Sequence, residues 1–253
     1  MKFDLGLDVE MQNLELLITR EEENNGMFVC LKPKTPALIT PKLVEDIRNF
    51  QDSIAEKYLA HPMNKYLFVI WYCEGLNKSS CQGLDFSYIV DCIKSNHESD
   101  FEHYIDRVFN LIFLNYIGLG FPIINCSIIN RPLSGISNDF FLLNNICFVQ
   151  DPTVIGINNL ELFREFPNLV FDKELYERNH YFNYQNMEID KIKSIIEEID
   201  YITPDENEIN LIQEKFDMKK DETITEIYNL AARNIKILER LAKIGAYPDL
   251  LRS

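Results

Sequence analysis

The residues best placed to do chemistry lie in two glycine-bearing turns. Ser80-Cys81-Gln82-Gly83-Leu84-Asp85-Phe86 follows an apolar run, Tyr66-Leu67-Phe68-Val69-Ile70-Trp71-Tyr72. About 50 residues later comes Asn130-Arg131-Pro132-Leu133-Ser134-Gly135-Ile136-Ser137-Asn138-Asp139, again between an apolar run and a helical one. Two such turns can aim two backbone N–H groups at one point. That is how an oxyanion hole stabilises the negative charge developing on a carbonyl oxygen, and it suggests acyl-thioester chemistry.

Other side chains offer less. The six cysteines (Cys30, Cys73, Cys81, Cys92, Cys126, Cys147) are scattered, form no CxxC pair, and mostly sit in apolar runs, where a free thiol acts as a small hydrophobe. Cys81 stands apart because it adjoins the first turn, yet no His or acid lies beside it in sequence to activate it. His61, His97, His103 and His180 lack metal-ligand spacing, so no metal is expected. A formal net charge of -15 argues against a nucleic-acid surface, which needs clustered Lys and Arg. The 46% hydrophobic and 26% charged content is that of a globular protein. No apolar stretch approaches the ~20 residues that span a bilayer, and Met1-Lys2-Phe3-Asp4 opens no leader pattern. Neither nucleic acid nor membrane is therefore expected as a partner, and the expected compartment is the cytoplasm.

The elements that must hold the two turns read as follows. Residues 14–19 and 27–32 are strands joined through Asn25-Gly26, a hairpin signal. Thr40-Pro41 supplies an N-cap and a first-position proline for a helix with Leu43, Ile47, Phe50, Ile54 and Tyr58 inward, ended by His61-Pro62. The run 66–72 is apolar on both faces, as a central strand is. Phe86 to Lys94 is helical. Ser99-Asp100-Phe101-Glu102 reads as a capping box opening a long helix with Phe101, Ile105, Val108, Phe109, Ile112 and Tyr116 inward, stopped by Gly118 and Gly120. Ile123 to Ile129 is a strand, Asp139 to Asn144 starts a helix, and Ile146 to Val149 is a short strand. Met187 to Ile199 is an amphipathic helix. A polar break at Thr203-Pro204-Asp205-Glu206-Asn207 precedes a final apolar helix from about Glu222 to Ile244, closed by Gly245. The alternation gives an α/β core with crossover connections over 1–175 and a helical region over 176–253.

In order and spacing the chain resembles the crotonase (enoyl-CoA hydratase/isomerase) superfamily over most of residues 10–170. Gln82-Gly83-Leu84-Asp85 is similar to the family's Ala-Gly-x-Asp turn, and Asn130 through Asp139 fits its Asn-Gly-x-x-x-Gly-Gly-Gly-x-Glu segment without a gap. Val154-Ile155-Gly156-Ile157-Asn158-Asn159 falls at its Phe-Gly-x-Pro-Glu segment, with Pro167 downstream. The Pro-Lys-Leu opening of the first helix and the long helix after the Gly-Leu-Asp turn look like diffusible-signal-factor synthases, crotonases that act on acyl carrier protein thioesters. The resemblance implies a ββα spiral core whose C-terminal helices mediate oligomerisation, as a homotrimer or a hexamer, or cover the active site. It implies an acyl thioester of coenzyme A or acyl carrier protein as ligand, with no cofactor apart from that carrier. The oxyanion donors would be the N–H groups of Gln82 and Ile136, and the two catalytic carboxylate positions fall at Asp139 and Asn159.

The departures from the family pattern narrow the chemistry. Ile136 and Ser137 replace glycines, so each brings a Cβ to the oxyanion turn. Asp139 retracts the family's Glu carboxylate by one methylene, and about 1 Å of misplacement can cost ~100-fold. Asn159 cannot exchange a proton. Thioester hydrolysis, isomerisation or decarboxylation therefore fits better than two-carboxylate hydration. A catalytically impaired protein that keeps the fold as a binding or scaffold subunit is the alternative. Each residue also has a structural reading. Gly83 and Gly135 can be plain turn glycines, Asp85 a cap, and Asp139 a first-turn residue answering the helix dipole. Glu161 and Glu165 can be solvated or replace the missing acid. Phe86, Phe140, Phe141 and Phe163 can be core or line an acyl pocket.

Overall fold

A computed structural model describes residues 14–22, 26–33, 39–60, 67–73, 83–129, 133, 135–149, 180–183, 189–198 and 204–243. The described residues form a mixed α/β fold on one six-stranded sheet whose strands lie side by side in chain order. β1 (Leu14–Glu22) and β2 (Gly26–Pro33) are the antiparallel hairpin announced by Asn25-Gly26, with a register irregularity between Leu16 and Ile18. β3 (Leu67–Cys73), β4 (Ile123–Ile129), β5 (Ile146–Val149) and β6 (His180–Asn183) each add in parallel. Parallel neighbours need crossovers, and from β2 to β5 helices supply them.

α1 (Pro41–Ala60) begins as its sequence dictates: the Thr40 hydroxyl accepts the Leu43 N–H at 3.2 Å, and Pro41 holds the first position. Leu43, Ile47, Phe50 and Ile54 are buried. Between β3 and β4 come α2 (Phe86–Lys94) and α3 (Glu98–Tyr116), and all six residues expected to face inward from α3 are buried. The Ser99 capping box is not formed. α3 starts at Glu98 with His97 at its N-cap and no side-chain cap bond. The reason lies in the end of α2, where Asn96 turns left-handed (φ 56°) and the His97 N–H bonds back to the Cys92 carbonyl at 2.8 Å, so the chain enters α3 with no residue to spare for a separate cap. Gly118 and Gly120, with φ of 61° and 75°, end α3 in a short 3-10 turn that feeds β4.

α4 (Ile136–Leu142) starts three residues earlier than the expected Asp139, because Gly135 (φ 58°, ψ -144°) turns the chain directly into the helix. Two elements depart further from expectation. β6 joins the sheet beyond residue 175, inside the segment assigned to the helical region, and α5 (Ile189–Glu198) follows it. The last helix, α6 (Glu206–Lys243), is one continuous run of 38 residues rather than a helix from Glu222. The polar stretch read as a break is its cap: the Glu208 N–H bonds the Asp205 carboxylate at 2.9 Å, and the Asp205 N–H bonds the Glu208 carboxylate at 3.2 Å.

The strands divide the core by their two-residue period. Leu67, Val69 and Trp71 join α1, α3, α4 and α6 on one face. Phe68, Ile70, Ile124, Cys126, Ile128, Ile146 and Phe148 pack with Ile196 of α5 on the other. β3 and β4 are thus buried on both faces, as central parallel strands are.

Candidate functional site at the ends of β3 and β4

The loops that leave the carboxyl ends of parallel neighbours start from the same edge of the sheet, which is where open α/β folds place ligands. β3 leads toward Gly83 and β4 toward Gly135. Both glycines adopt positive φ (85° and 58°), so both are turn glycines in the strict sense. The two turns meet. The Gly83 N–H donates to the Ser137 hydroxyl at 3.1 Å across 54 positions of sequence.

The first turn is fixed from three further sides. Its Gly83 carbonyl accepts the Ile39 N–H at 2.7 Å, and Leu84 forms a parallel bridge with Ile39. Asp85 caps α2, accepting the Tyr88 N–H at 3.1 Å, as its position before an apolar helix suggests. The Asp85 N–H donates to the Tyr104 hydroxyl at 3.1 Å, and that hydroxyl donates to the Ile39 carbonyl. Burial pushes the Tyr104 phenol well above its ordinary pKa, so it keeps the proton this bond requires. Tyr88 stacks edge-on against it, ring centroids 5.4 Å apart.

The second turn rests on α4, whose underside is tied to the sheet. Trp71 of β3 meets Phe140 edge-on at 5.3 Å, and Phe140 meets Phe141 at 5.1 Å. These two phenylalanines are buried in the core; Phe86 is partly buried, and Phe163 lies outside the described residues. The carbonyls at the end of α4 are taken up by the Ser127 hydroxyl (2.7 Å to Phe141) and the Cys147 thiol (3.4 Å to Phe141). Behind them lies a buried amide network. Trp71 Nε1 donates to Asn125 Oδ1 at 3.0 Å, Asn125 Nδ2 to the Asn115 carbonyl at 2.7 Å, and the Asn125 N–H to Asn145 Oδ1 at 2.9 Å.

Asp139 sits in the first turn of α4, one turn beyond Gly135, and is 2% exposed. It is not the helix cap, which is Gly135. Gly83, Ile136 and Ser137 are buried as well. Gln82 and Asn159, the other expected site residues, lie outside the described residues, as does Cys81. Burial raises the thiol pKa of Cys92, Cys126 and Cys147, which favours their protonated form at neutral pH. Among the described residues no cluster of His, Cys, Asp and Glu could hold a metal, and no helix is long and apolar enough to cross a membrane.

Tyr104 is the site-building side chain that the sequence did not single out, and Ser137, noted there for the Cβ it brings to the second turn, accepts the Gly83 N–H. Tyr104 left one signal: it shares the apolar face of α3 with Phe101, Ile105 and Val108, where a buried phenol needs a polar partner. No protein-family model matches the chain, and no curated protein matches it.

Proposed function

We propose that the chain is a crotonase-like protein, with a ββα spiral core, that binds and processes an acyl thioester carried by coenzyme A or acyl carrier protein. The observation that carries this reading is the contact between the Gly83 and Gly135 turns at the carboxyl ends of adjacent strands, with Asp139 one helical turn away. In this reading the thioester carbonyl is polarised by the N–H groups of Gln82 and Ile136. The latter is the first residue of α4, whose N–H has no partner within its own helix by position. Each such donor is worth roughly 2.7–4 kcal/mol of barrier. Asp139 is the inherited carboxylate. With one acid rather than two, hydrolysis, isomerisation or decarboxylation is favoured over hydration. The working form would be a homotrimer or hexamer in the cytoplasm.

The test is turnover of acyl-coenzyme A and acyl-carrier-protein panels by the wild type and by Asp139→Asn. Loss of general acid or base catalysis lowers kcat by roughly 10²–10⁴-fold. Equal rates remove Asp139 from the mechanism. A second reading, a catalytically impaired binding subunit, is favoured by the burial of Gly83, Ile136 and Asp139 and by the use of the Gly83 N–H within the chain itself. Calorimetric binding of a thioester without any turnover distinguishes it.

A further inference from the structure

α6 carries its charge unevenly along its length. Between Glu206 and Glu226 seven acidic side chains outnumber three basic ones, and between Ile227 and Lys243 four basic side chains outnumber one acid. At 1.5 Å per residue the helix is about 57 Å long, so the two stretches sit well apart. The inward face is committed to the fold: Ile212, Phe216, Thr223, Ile227 and Ala231 are buried, and Lys220 bonds Asp106 of α3. The opposite face is exposed. Leu211, Glu214, Met218 and Glu222 recur along it at helical spacing, and Arg233, Lys236 and Arg240 continue it. Leu211 is 55% and Met218 63% exposed, so the acidic half also presents two large apolar side chains to solvent.

We propose that this outer face pairs two copies of the chain, their α6 helices antiparallel about a two-fold axis that crosses near the middle of the helix. The axis sets the acidic half of each helix against the basic half of the other, so each charged stretch meets its opposite. A parallel pairing would set like against like. The aliphatic stems of Arg233, Lys236 and Arg240 lie over Leu211 and Met218 of the other copy, while their charged ends reach its Glu214 and Glu222. The formal charge of -15 makes two copies repel in general, and the basic end of α6 offsets that repulsion locally. An anionic lipid surface would accept the basic half and repel the acidic one, whereas a second copy accepts both. A seam of two helices is small, on the order of 1,000 Å², which makes the dimer reversible rather than obligate. The proposal stands on α6 and is independent of the thioester reading. A two-fold seam builds a dimer, or joins two trimers into a hexamer, and does not build a lone trimer.

The test is analytical sedimentation of the full chain and of two variants at exposed positions of this face. One carries Arg233→Glu, Lys236→Glu and Arg240→Glu, the other Glu214→Lys, Glu222→Lys and Glu226→Lys. Circular dichroism checks that each keeps its helix content; the single changes Arg233→Glu and Glu222→Lys carry the same test where a triple variant does not. The wild type should dimerise reversibly between about 1 and 200 μM. Each variant alone should associate at least about tenfold more weakly, because like halves now meet. The lysine variant is decisive. It brings the formal charge of -15 closer to zero, so general repulsion predicts tighter association where the seam predicts weaker. Mixed, the two variants are complementary along the whole seam and should form a heterodimer within about threefold of wild-type affinity. A wild type that stays monomeric throughout, or an association that both variants leave unchanged, overturns the proposal. A monomeric wild type that sediments with phosphatidylserine vesicles, through Arg233, Lys236 and Arg240, overturns it in favour of a lipid surface.

Discussion

The hydroxyl of Tyr104 is used twice, on the Ile39 carbonyl and on the Asp85 N–H, and both partners are backbone groups flanking the Gly83 turn. Tyr104 is 3% exposed, so water has little access to either group once the hydroxyl is gone. A Tyr104→Phe substitution keeps the ring, its packing on Tyr88 and almost all of the buried area, and orphans one donor and one acceptor. Each orphan costs roughly 1–3 kcal/mol. The expected loss is therefore about 2–6 kcal/mol in urea unfolding, far above what removing an exposed oxygen would do. A loss below about 0.5 kcal/mol would mean that water replaces the hydroxyl and that the turn does not depend on it. This residue was not legible as part of the site because its two partners lie 65 and 19 positions away and are backbone groups, which carry no identity in a sequence. Asp85 and the two glycines were legible for the converse reason: a cap and a positive φ are local demands that select particular residue types.

Between α3 and β4 the chain reverses within a few residues, and the two glycines that permit this do unequal work. A Cβ on Gly118 would stand 2.2 Å from the Ile123 carbonyl oxygen, a backbone atom of β4, at a φ of +61°. A Cβ on Gly120 would meet nothing within 4 Å, although its φ of +75° strains any L-residue. Gly120→Ala should cost only the left-handed backbone penalty, about 1–2 kcal/mol. Gly118→Ala adds a backbone collision and should cost roughly 3 kcal/mol or more. The order of the two unfolding midpoints is the check, and equal midpoints would remove the β4 carbonyl as the constraint. The same contrast governs how much of the fold the sequence disclosed. β3, β4 and β5 were readable to within a residue because burial on both faces demands continuous apolar runs. β6 was not, because His180-Tyr181-Phe182-Asn183 is four residues long and polar at both ends. The start of α6 was misplaced because Thr203 to Asn207 reads as a polar break, while Ile209, Ile212 and Phe216 already carry its helical spacing into the core, where Phe216 meets Phe113 of α3 at 5.5 Å.

For the molecule as a whole, two described tyrosines at the site, Tyr88 and Tyr104, and the ammonium of Lys220 hold their protons tightly, and this bears on the response to alkali. Burial pushes the Tyr88 phenol up to about 12, with a hydrogen bond to Cys92 adding to the rise. Burial raises Tyr104 further, and a hydrogen bond from Lys220 to Asp106 across α3 and α6 raises the ammonium of Lys220. All three hold protons more tightly in the folded state than in the unfolded one. The stability tied to these protons is whole below the unfolded values, about 10 for tyrosine and about 10.4 for lysine. It is lost as pH rises through the folded ones, so for Tyr88 the window runs from about 10 to about 12. The chain carries a formal charge of -15 already at neutral pH, so each phenolate adds to an existing repulsion and does not offset it. Unfolding free energy measured in urea from pH 9 to 11.5 should therefore fall with a slope of more than one proton, and Tyr88→Phe should lower that slope by up to about one proton. An unchanged slope would show that Tyr88 ionises alike in both states. Tyr104 is raised further than Tyr88 and so ionises after it, and the bond it donates to Ile39 is one of those that hold the Gly83 turn to the segment before α1.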